Sequence, residues 1–259
     1  MKLGFIGMGN MASALAGGFI ASGKLSAADI VAFDPYREGL LKKSEQLGFT
    51  PATTAAEAVN AADMVLIACK PQHVEDALAP IRELLCGKAL LSIALGFDHA
   101  RYQALLPDGV RVQFIMPNTP AMVGEGVFLF EATNTLTAAE LEAVKDLFAA
   151  IGHVHTLPSQ LMGIGGAISG CGPAFVDLML EAFADAAVKY GIPRDLAQKM
   201  VSETVLGSAK LQLETGLHPG VLKDMVCSPG GSTIKGVTAL EKAGYRAACI
   251  AAVEVIMEK

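Results

Sequence analysis

The first residues whose types and spacing could do chemistry are Gly7-Met8-Gly9-Asn10-Met11-Ala12. A Gly-x-Gly-x-x-Ala order suits a turn that carries the pyrophosphate of a dinucleotide. The first glycine permits the tight turn and the second lets main chain approach the phosphates. The small Ala12 lets a helix pack close to a strand. A helix starting here would offer free N–H groups to an anion. A ligand-free glycine turn could carry the same residues, so context matters. An apolar run over 3–6 precedes the turn, and helical spacing over 10–22 follows it. Ile6, Gly7, Met8, Gly9, Asn10 and Met11 are therefore candidate cofactor contacts.

Other candidates close other apolar runs, where parallel sheets bind their ligands. Asp34 ends the run 30–33, and an acid there bonds ribose hydroxyls and favours NAD. Arg37, one helical turn on, could pair with a 2′-phosphate and favour NADP. The two residues leave NAD or NADP open. Lys70-Pro71 follows the run 64–69; Lys70 could bond ribose hydroxyls or place positive charge beside the cofactor, and Pro71 fixes the chain where it leaves the strand. Met116-Pro117-Asn118-Thr119-Pro120 makes a stiff loop in which Asn118 and Thr119 offer amide and hydroxyl groups. Ser228-Pro229-Gly230-Gly231-Ser232-Thr233 combines glycines, hydroxyls and a following helix N-terminus, a receptor for carboxylate or phosphate. An empty loop of this kind would simply cap the helix through Ser232 or Thr233.

These residues need a frame. Strands are expected at 3–6, 30–33, 64–68, 89–94, 110–115 and 127–130, with helices at 10–22, 37–47, 55–61, 74–85 and 138–151. Strands alternating with helices imply crossover units and a mainly parallel sheet. Strand signals stop at Leu157-Pro158. Beyond it, helices are expected at 173–190, 193–213, 233–242 and from Tyr245 onward. Asp177, Glu181 and Asp185 form one polar stripe on the first of them, which reads as a helix buried on most sides. The fold class is therefore α/β, with a Rossmann-type domain over 1–157 and an all-helical domain over 158–259.

Composition narrows the function. The chain has 259 residues, 52% hydrophobic and 18% charged, with no Trp. So few charges suggest surface hidden between subunits, and scarce aromatics suggest a core of aliphatic residues. A net charge of −6 without basic runs argues against a nucleic-acid or membrane-surface partner. Five cysteines, odd in number and without C-x-x-C, fit a reducing cytoplasm better than a disulfide framework or zinc site. His153 and His155 form the only close histidine pair, with no acidic residue beside it, and alternate positions on a strand or linker account for it; no metal is expected. The uncharged stretch 3–23 could pass for a leader or a span, but its glycines suit strand, turn and helix better. No other stretch is expected to approach the ~20 residues that a span needs.

No Ser-His-Asp or Cys-His arrangement stands out, nor a base for an alcohol proton. Reduction of a C=N bond demands less, because a cyclic imine can arrive protonated. Orientation and a mild hydroxyl donor could then be enough.

Over nearly its full length the chain resembles the pyrroline-5-carboxylate reductase family. The resemblance rests on Gly4-Phe5-Ile6-Gly7-Met8-Gly9-Asn10-Met11, Ala68-Cys69-Lys70-Pro71, Asn118-Thr119-Pro120 and, more specifically, Ser169-Gly170-Cys171-Gly172-Pro173-Ala174, His218-Pro219-Gly220-Val221-Leu222-Lys223-Asp224 and residues 228–233. It implies reduction of L-1-pyrroline-5-carboxylate to L-proline by NAD(P)H. It implies that Gly7 to Met11, Ala68, Lys70, Pro71, Ala94 and Leu95 line the cofactor. Ser228, Pro229, Gly230, Gly231, Ser232 and Thr233 would hold the substrate carboxylate, with Thr233 as proton donor or orienter and Lys70 beside the chemistry. It also implies a homodimer built from the helical halves, often assembled into decamers. Three positions depart from the family pattern: Ala55 where an asparagine often touches cofactor, Gly216 where some relatives carry an acid, and Asp34 where some carry small polar residues. A β-hydroxyacid dehydrogenase would need a lysine inside the helix 173–188, which has none. A cofactor-binding sensor would show a degraded loop at 228–233, which is intact.

Overall fold

The structure is a computed structural model that describes residues 1–258. Two compact units follow one another, Met1–Cys171 and Gly172–Lys259. The first is a Rossmann-type sheet with helices, and the second is all helix.

The first unit runs β1 (Leu3–Ile6), α1 (Asn10–Ala21), β2 (Ile30–Phe33), α2 (Arg37–Leu47), β3 (Thr50–Pro51), α3 (Ala55–Asn60), β4 (Met64–Ile67), α4 (Val74–Leu78), β5 (Ala89–Ser92), α5 (His99–Leu105), β6 (Arg111–Met116), β7 (Gly126–Glu131), α6 (Ala138–Ala149), β8 (Gly152–Leu157) and α7 (Met162–Ser169). The sheet order is β3-β2-β1-β4-β5-β6-β7-β8. Neighbours from β3 to β6 pair parallel, β6 and β7 antiparallel, and β7 and β8 parallel again. β1, β4 and β5 are buried along their whole length, as unbroken apolar runs in parallel sheets should be.

One face of the sheet packs Leu15 and Phe19 of α1 with Phe128, Phe130 and Phe148. Phe148 is the hub, with ring centroids 5.2 Å from Phe19, 5.0 Å from Phe128 and 5.6 Å from Phe130, all edge-on. The aliphatic core expected from composition is thus corrected: few aromatics occur, but they sit at its centre. The other face packs Ala58, Val59, Leu78 and Tyr102. The capping box of Thr137 and Glu140 starts α6, and Arg111 grips the same carboxylate at 2.8 and 2.6 Å. That guanidinium, with the Thr137 bonds, holds the Glu140 carboxyl down at about 2.

Several expected elements are corrected. The helix over 74–85 stops at Leu78, because Pro80 has no N–H and cannot continue it. β8 carries the His153-x-His155 alternation; His153 Nε2 lies 3.8 Å from Glu125 Oε2 at the exposed sheet edge. α7 stays with the first unit: Met162 packs with Phe114, Met116 and Leu129. The contact boundary therefore lies at Cys171 although strands end at Leu157. Contrary to expectation, Ser159–Lys189 is long and apolar enough to cross a membrane by length and composition, whereas Asn10–Ala21 is only a shorter apolar helix. In the fold it is two helices: α7 on the sheet, and α8 (Gly172–Lys189), which carries the acidic stripe.

The second unit continues with α9 (Arg194–Thr215), α10 (Pro219–Val226), α11 (Ser232–Lys242) and α12 (Tyr245–Met257). α8 and α9 form a hairpin tied at 2.5 Å by Arg194 and Asp185. Among the described residues of this unit only Ala184 and Ala197 are buried. The burial expected for the first long helix is therefore absent within one chain.

Candidate active site

The strand order reverses between β1 and β4, where β1 turns one edge to β2 and the other to β4. Ligands of open α/β sheets bind beyond the strand C-termini at such a switch point. Ile6 and Ile67 are register partners there, and Ala68 N–H donates to the Ile6 carbonyl at 2.9 Å. The two strand exits, Gly7 and Ala68-Cys69-Lys70-Pro71, are thus neighbours. Gly7 has φ +95°, and a Cβ on it would lie 2.7 Å from the Cys69 nitrogen. Only glycine fits that crossing.

α1 begins immediately beyond. Its N-cap, Gly9, makes no side-chain cap, and its first turn holds no acid. A Cβ on Gly9 would meet nothing within 4 Å. The first N–H groups of a helix have no intrahelical partner, so this end of α1 is an open, positively polarised cradle that fits a pyrophosphate. Asn10 is exposed and Met11 half-buried beside it.

Asp34, at the exit of β2, steadies the turn. Its Oδ2 accepts the Met8 N–H at 2.7 Å and its Oδ1 accepts the Tyr36 N–H at 2.8 Å. The Met8 carbonyl accepts the Lys43 ammonium. Lys43 was missed in the sequence. The available signal was its spacing, three residues beyond the buried Leu40 on α2, which turns it toward the sheet. Arg37 donates from Nη1 to the Ala52 carbonyl at 2.6 Å.

Lys70 is exposed, and its side chain makes no hydrogen bond among the described residues, so it is available to a ligand. Burial pushes the neighbouring Cys69 thiol up to about 11, which keeps it protonated and poorly nucleophilic at neutral pH. At the exit of β5, Ser92 Oγ bonds Tyr102 OH at 2.7 Å and accepts the Ala94 N–H at 3.1 Å. That buried pair fixes Ala94 and leaves Leu95 63% exposed at the rim.

Asn118 has a structural role beside any contact with a ligand. Its Oδ1 accepts the Val127 N–H at 2.8 Å, and its Nδ2 donates to the Ser169 carbonyl at 3.0 Å. The side chain is buried and joins the β7 start to the end of α7. Its amide bonds main chain on both sides, so it shapes this region, with one N–H and one lone pair left over.

The glycine loop of the second unit lies between α10 and α11. Gly230 has φ +72°, and Gly231 N–H closes the turn onto the Ser228 carbonyl at 3.0 Å. Gly231, not Ser232 or Thr233, is the N-cap of α11, with no side-chain cap and no acid in the first turn. A Cβ on Gly231 would stand 2.4 Å from Ser228 Oγ, so a side chain there would displace that hydroxyl. The hydroxyls of Ser228, Ser232 and Thr233 make no hydrogen bonds among the described residues, and all three residues are exposed. This is a second polarised helix end, surrounded by free hydroxyls, and it suits a carboxylate. By contrast, Thr54, Asp98 and Thr137 occupy the starts of α3, α5 and α6 with their own oxygens.

Comparison with known proteins adds to this geometry. Residues 159–259 match the family described as pyrroline-5-carboxylate reductase dimerisation. Residues 2–96 match the family described as NADP oxidoreductase, coenzyme F420-dependent. The chain is similar to pyrroline-5-carboxylate reductase of Methanosarcina acetivorans, with 41% identity over 97% of this chain and 94% of that one. It is 39% identical to the Escherichia coli pyrroline-5-carboxylate reductase over 100% of this chain and 96% of the relative. Among solved structures, a Plasmodium falciparum pyrroline carboxylate reductase with NADP bound superposes with a TM-score of 0.91. It is 31% identical, and the match covers 100% of this chain and 96% of that one.

Proposed function

On the premise that the chain belongs to the pyrroline-5-carboxylate reductase family, we propose how its own residues divide the work of that reaction. The enzyme reduces the C=N bond of L-1-pyrroline-5-carboxylate with NAD(P)H and yields L-proline. The observation that carries the assignment is a pair of uncapped, acid-free helix starts behind glycine turns, α1 in the first unit and α11 in the second, the latter ringed by the free hydroxyls of Ser228, Ser232 and Thr233. The reaction has one anionic group on each reactant to hold, a pyrophosphate and a carboxylate.

The reduced cofactor, when bound, supplies the hydride. Ile6, Gly7, Met8, Gly9, Asn10 and Met11 hold its pyrophosphate through the start of α1. Asp34 takes the adenosine ribose, while Ala68, Lys70, Pro71, Ala94 and Leu95 line the remainder. Ser228, Pro229, Gly230, Gly231, Ser232 and Thr233 hold the substrate carboxylate through main-chain N–H groups and hydroxyls. Hydride reaches the imine carbon, and the ring nitrogen carries the proton that balances it. Thr233 would orient that nitrogen, or donate the proton where the imine arrives neutral, and Lys70 would keep positive charge near the cofactor. None of these roles needs a strong base, because a cyclic imine can arrive protonated.

The helical unit supports a homodimer, since α8–α12 bury almost nothing by themselves; further assembly to a decamer follows the family. Five free cysteines support a reducing, cytoplasmic setting. The test is oxidation of NADH and NADPH followed spectrophotometrically with pyrroline-5-carboxylate. We expect turnover to proline; no oxidation of either cofactor would refute the reading.

A further inference from the structure

The ribose end of the cofactor site carries an inference that rests on the reading above and goes beyond it. Asp34 is half-buried at the exit of β2, and each of its oxygens already accepts one main-chain N–H, from Met8 at 2.7 Å and from Tyr36 at 2.8 Å. Those bonds fix the carboxylate in direction and position. An ionised carboxylate has about four acceptor sites, so two remain for ribose hydroxyls. Because the Met8 bond ties Asp34 to the phosphate turn, the carboxylate cannot swing away from an incoming 2′ group without loosening that turn.

Two cations lie nearby in sequence, and the hydrogen bond each makes runs to a main-chain carbonyl and not to Asp34. Arg37 Nη1 lies 2.6 Å from the Ala52 carbonyl, beyond β3, and its field reaches Glu57 on α3. The Lys43 ammonium is held on the Met8 carbonyl, at the phosphate turn. A 2′-hydroxyl can donate to Asp34. A 2′-phosphate brings only acceptors and up to two negative charges against a fixed carboxylate.

We infer that Asp34, pinned by the Met8 and Tyr36 N–H groups while Arg37 and Lys43 bond main-chain carbonyls, makes this enzyme select NADH over NADPH.

The test is direct binding, independent of turnover. NADH and NADPH are titrated into the intact enzyme without substrate and read by calorimetry or nicotinamide fluorescence. We expect NADH to bind at least tenfold tighter, about 1.4 kcal/mol. Asp34→Asn keeps the size and one carbonyl acceptor but removes the charge. It should lower the NADH:NADPH ratio at least fivefold, mainly by tightening NADPH. Arg37→Ala should leave NADPH binding within about twofold, and Lys43→Ala should weaken both cofactors by a similar factor. Equal or tighter NADPH binding by the unaltered enzyme would overturn the inference and leave the reductase reading intact. So would a loss of NADPH binding alone in Arg37→Ala. Binding of neither cofactor would overturn both.

Discussion

The two units solve burial in opposite ways. Met1–Cys171 covers both faces of its sheet with its own helices, and Phe19, Phe128, Phe130 and Phe148 interlock inside it. Gly172–Lys259 buries only Ala184 and Ala197 among its described residues. Meanwhile Leu178, Phe183, Leu206, Leu213, Met225 and Val255 stand 44–73% exposed on its helices. Both units are rich in apolar residues, so hydrophobicity alone does not separate them. They differ in where the partner surface is found: within the same chain for the sheet, and outside it for the helices. Large exposed apolar surfaces of this kind mark association sites, and the matched dimerisation family agrees.

The contrast can be broken experimentally. Charging α9 by Leu206→Glu together with Leu213→Glu, one heptad apart, should have the largest effect. We expect monomers in sedimentation velocity and at least a hundredfold loss of turnover, while cofactor binding stays within a fewfold. A variant that remains dimeric and active would show that α9 is not the covered face.

Phe148→Ala attacks the other region. Removing the hub of three edge-on aromatic contacts should destabilise the sheet unit by about 3–5 kcal/mol, read as a lower midpoint in denaturant melts. A cost under 1 kcal/mol would mean the core repacks around the gap.

Thr233→Ala should be milder. Turnover should fall about tenfold while the dissociation constant for NADH is unchanged, because the hydroxyl belongs to the carboxylate-binding loop. An unchanged rate would remove Thr233 from the chemistry.

The smallest effect is electrostatic. Glu140 is held at about 2 by Arg111 and Thr137, against an ordinary value of 4.5. Its pKa is depressed by folding, so its stabilisation is full above 4.5 and is lost as pH falls toward 2. Glu140→Gln should therefore lose roughly 1–2 kcal/mol at pH 7 and show a flatter stability profile between pH 5 and 2. Equal slopes in both proteins would contradict the ion pair's role.

The sheet was largely legible because its central strands are unbroken apolar runs with turn residues at their ends. The failures have local causes. Pro80 lies inside a convincing helical pattern and ends α4 early. β8 alternates His153 and His155 with Val154 and Thr156, which looks like linker composition until β7 supplies a partner. α7 reads Met-Gly-Ile-Gly-Gly-Ala-Ile-Ser, and its glycines disguise a helix held by contact with the sheet. At the site, glycine turns announced both anion cradles. The destinations of Asn118, Arg37 and Lys43 were not legible, because side-chain partners far away in sequence decide them. The residue types suggested ligands for Asn118 and Arg37, and the fold gave both main-chain carbonyls.

In the proposed homodimer, the bare helices make the amount of protein part of its own stability. A surface covered only by a second copy is covered in proportion to how often copies meet, so mass action enters the folding equilibrium. Each tenfold dilution would weaken the association by about 1.4 kcal/mol, whereas the sheet unit, which covers its own core, would be indifferent to dilution.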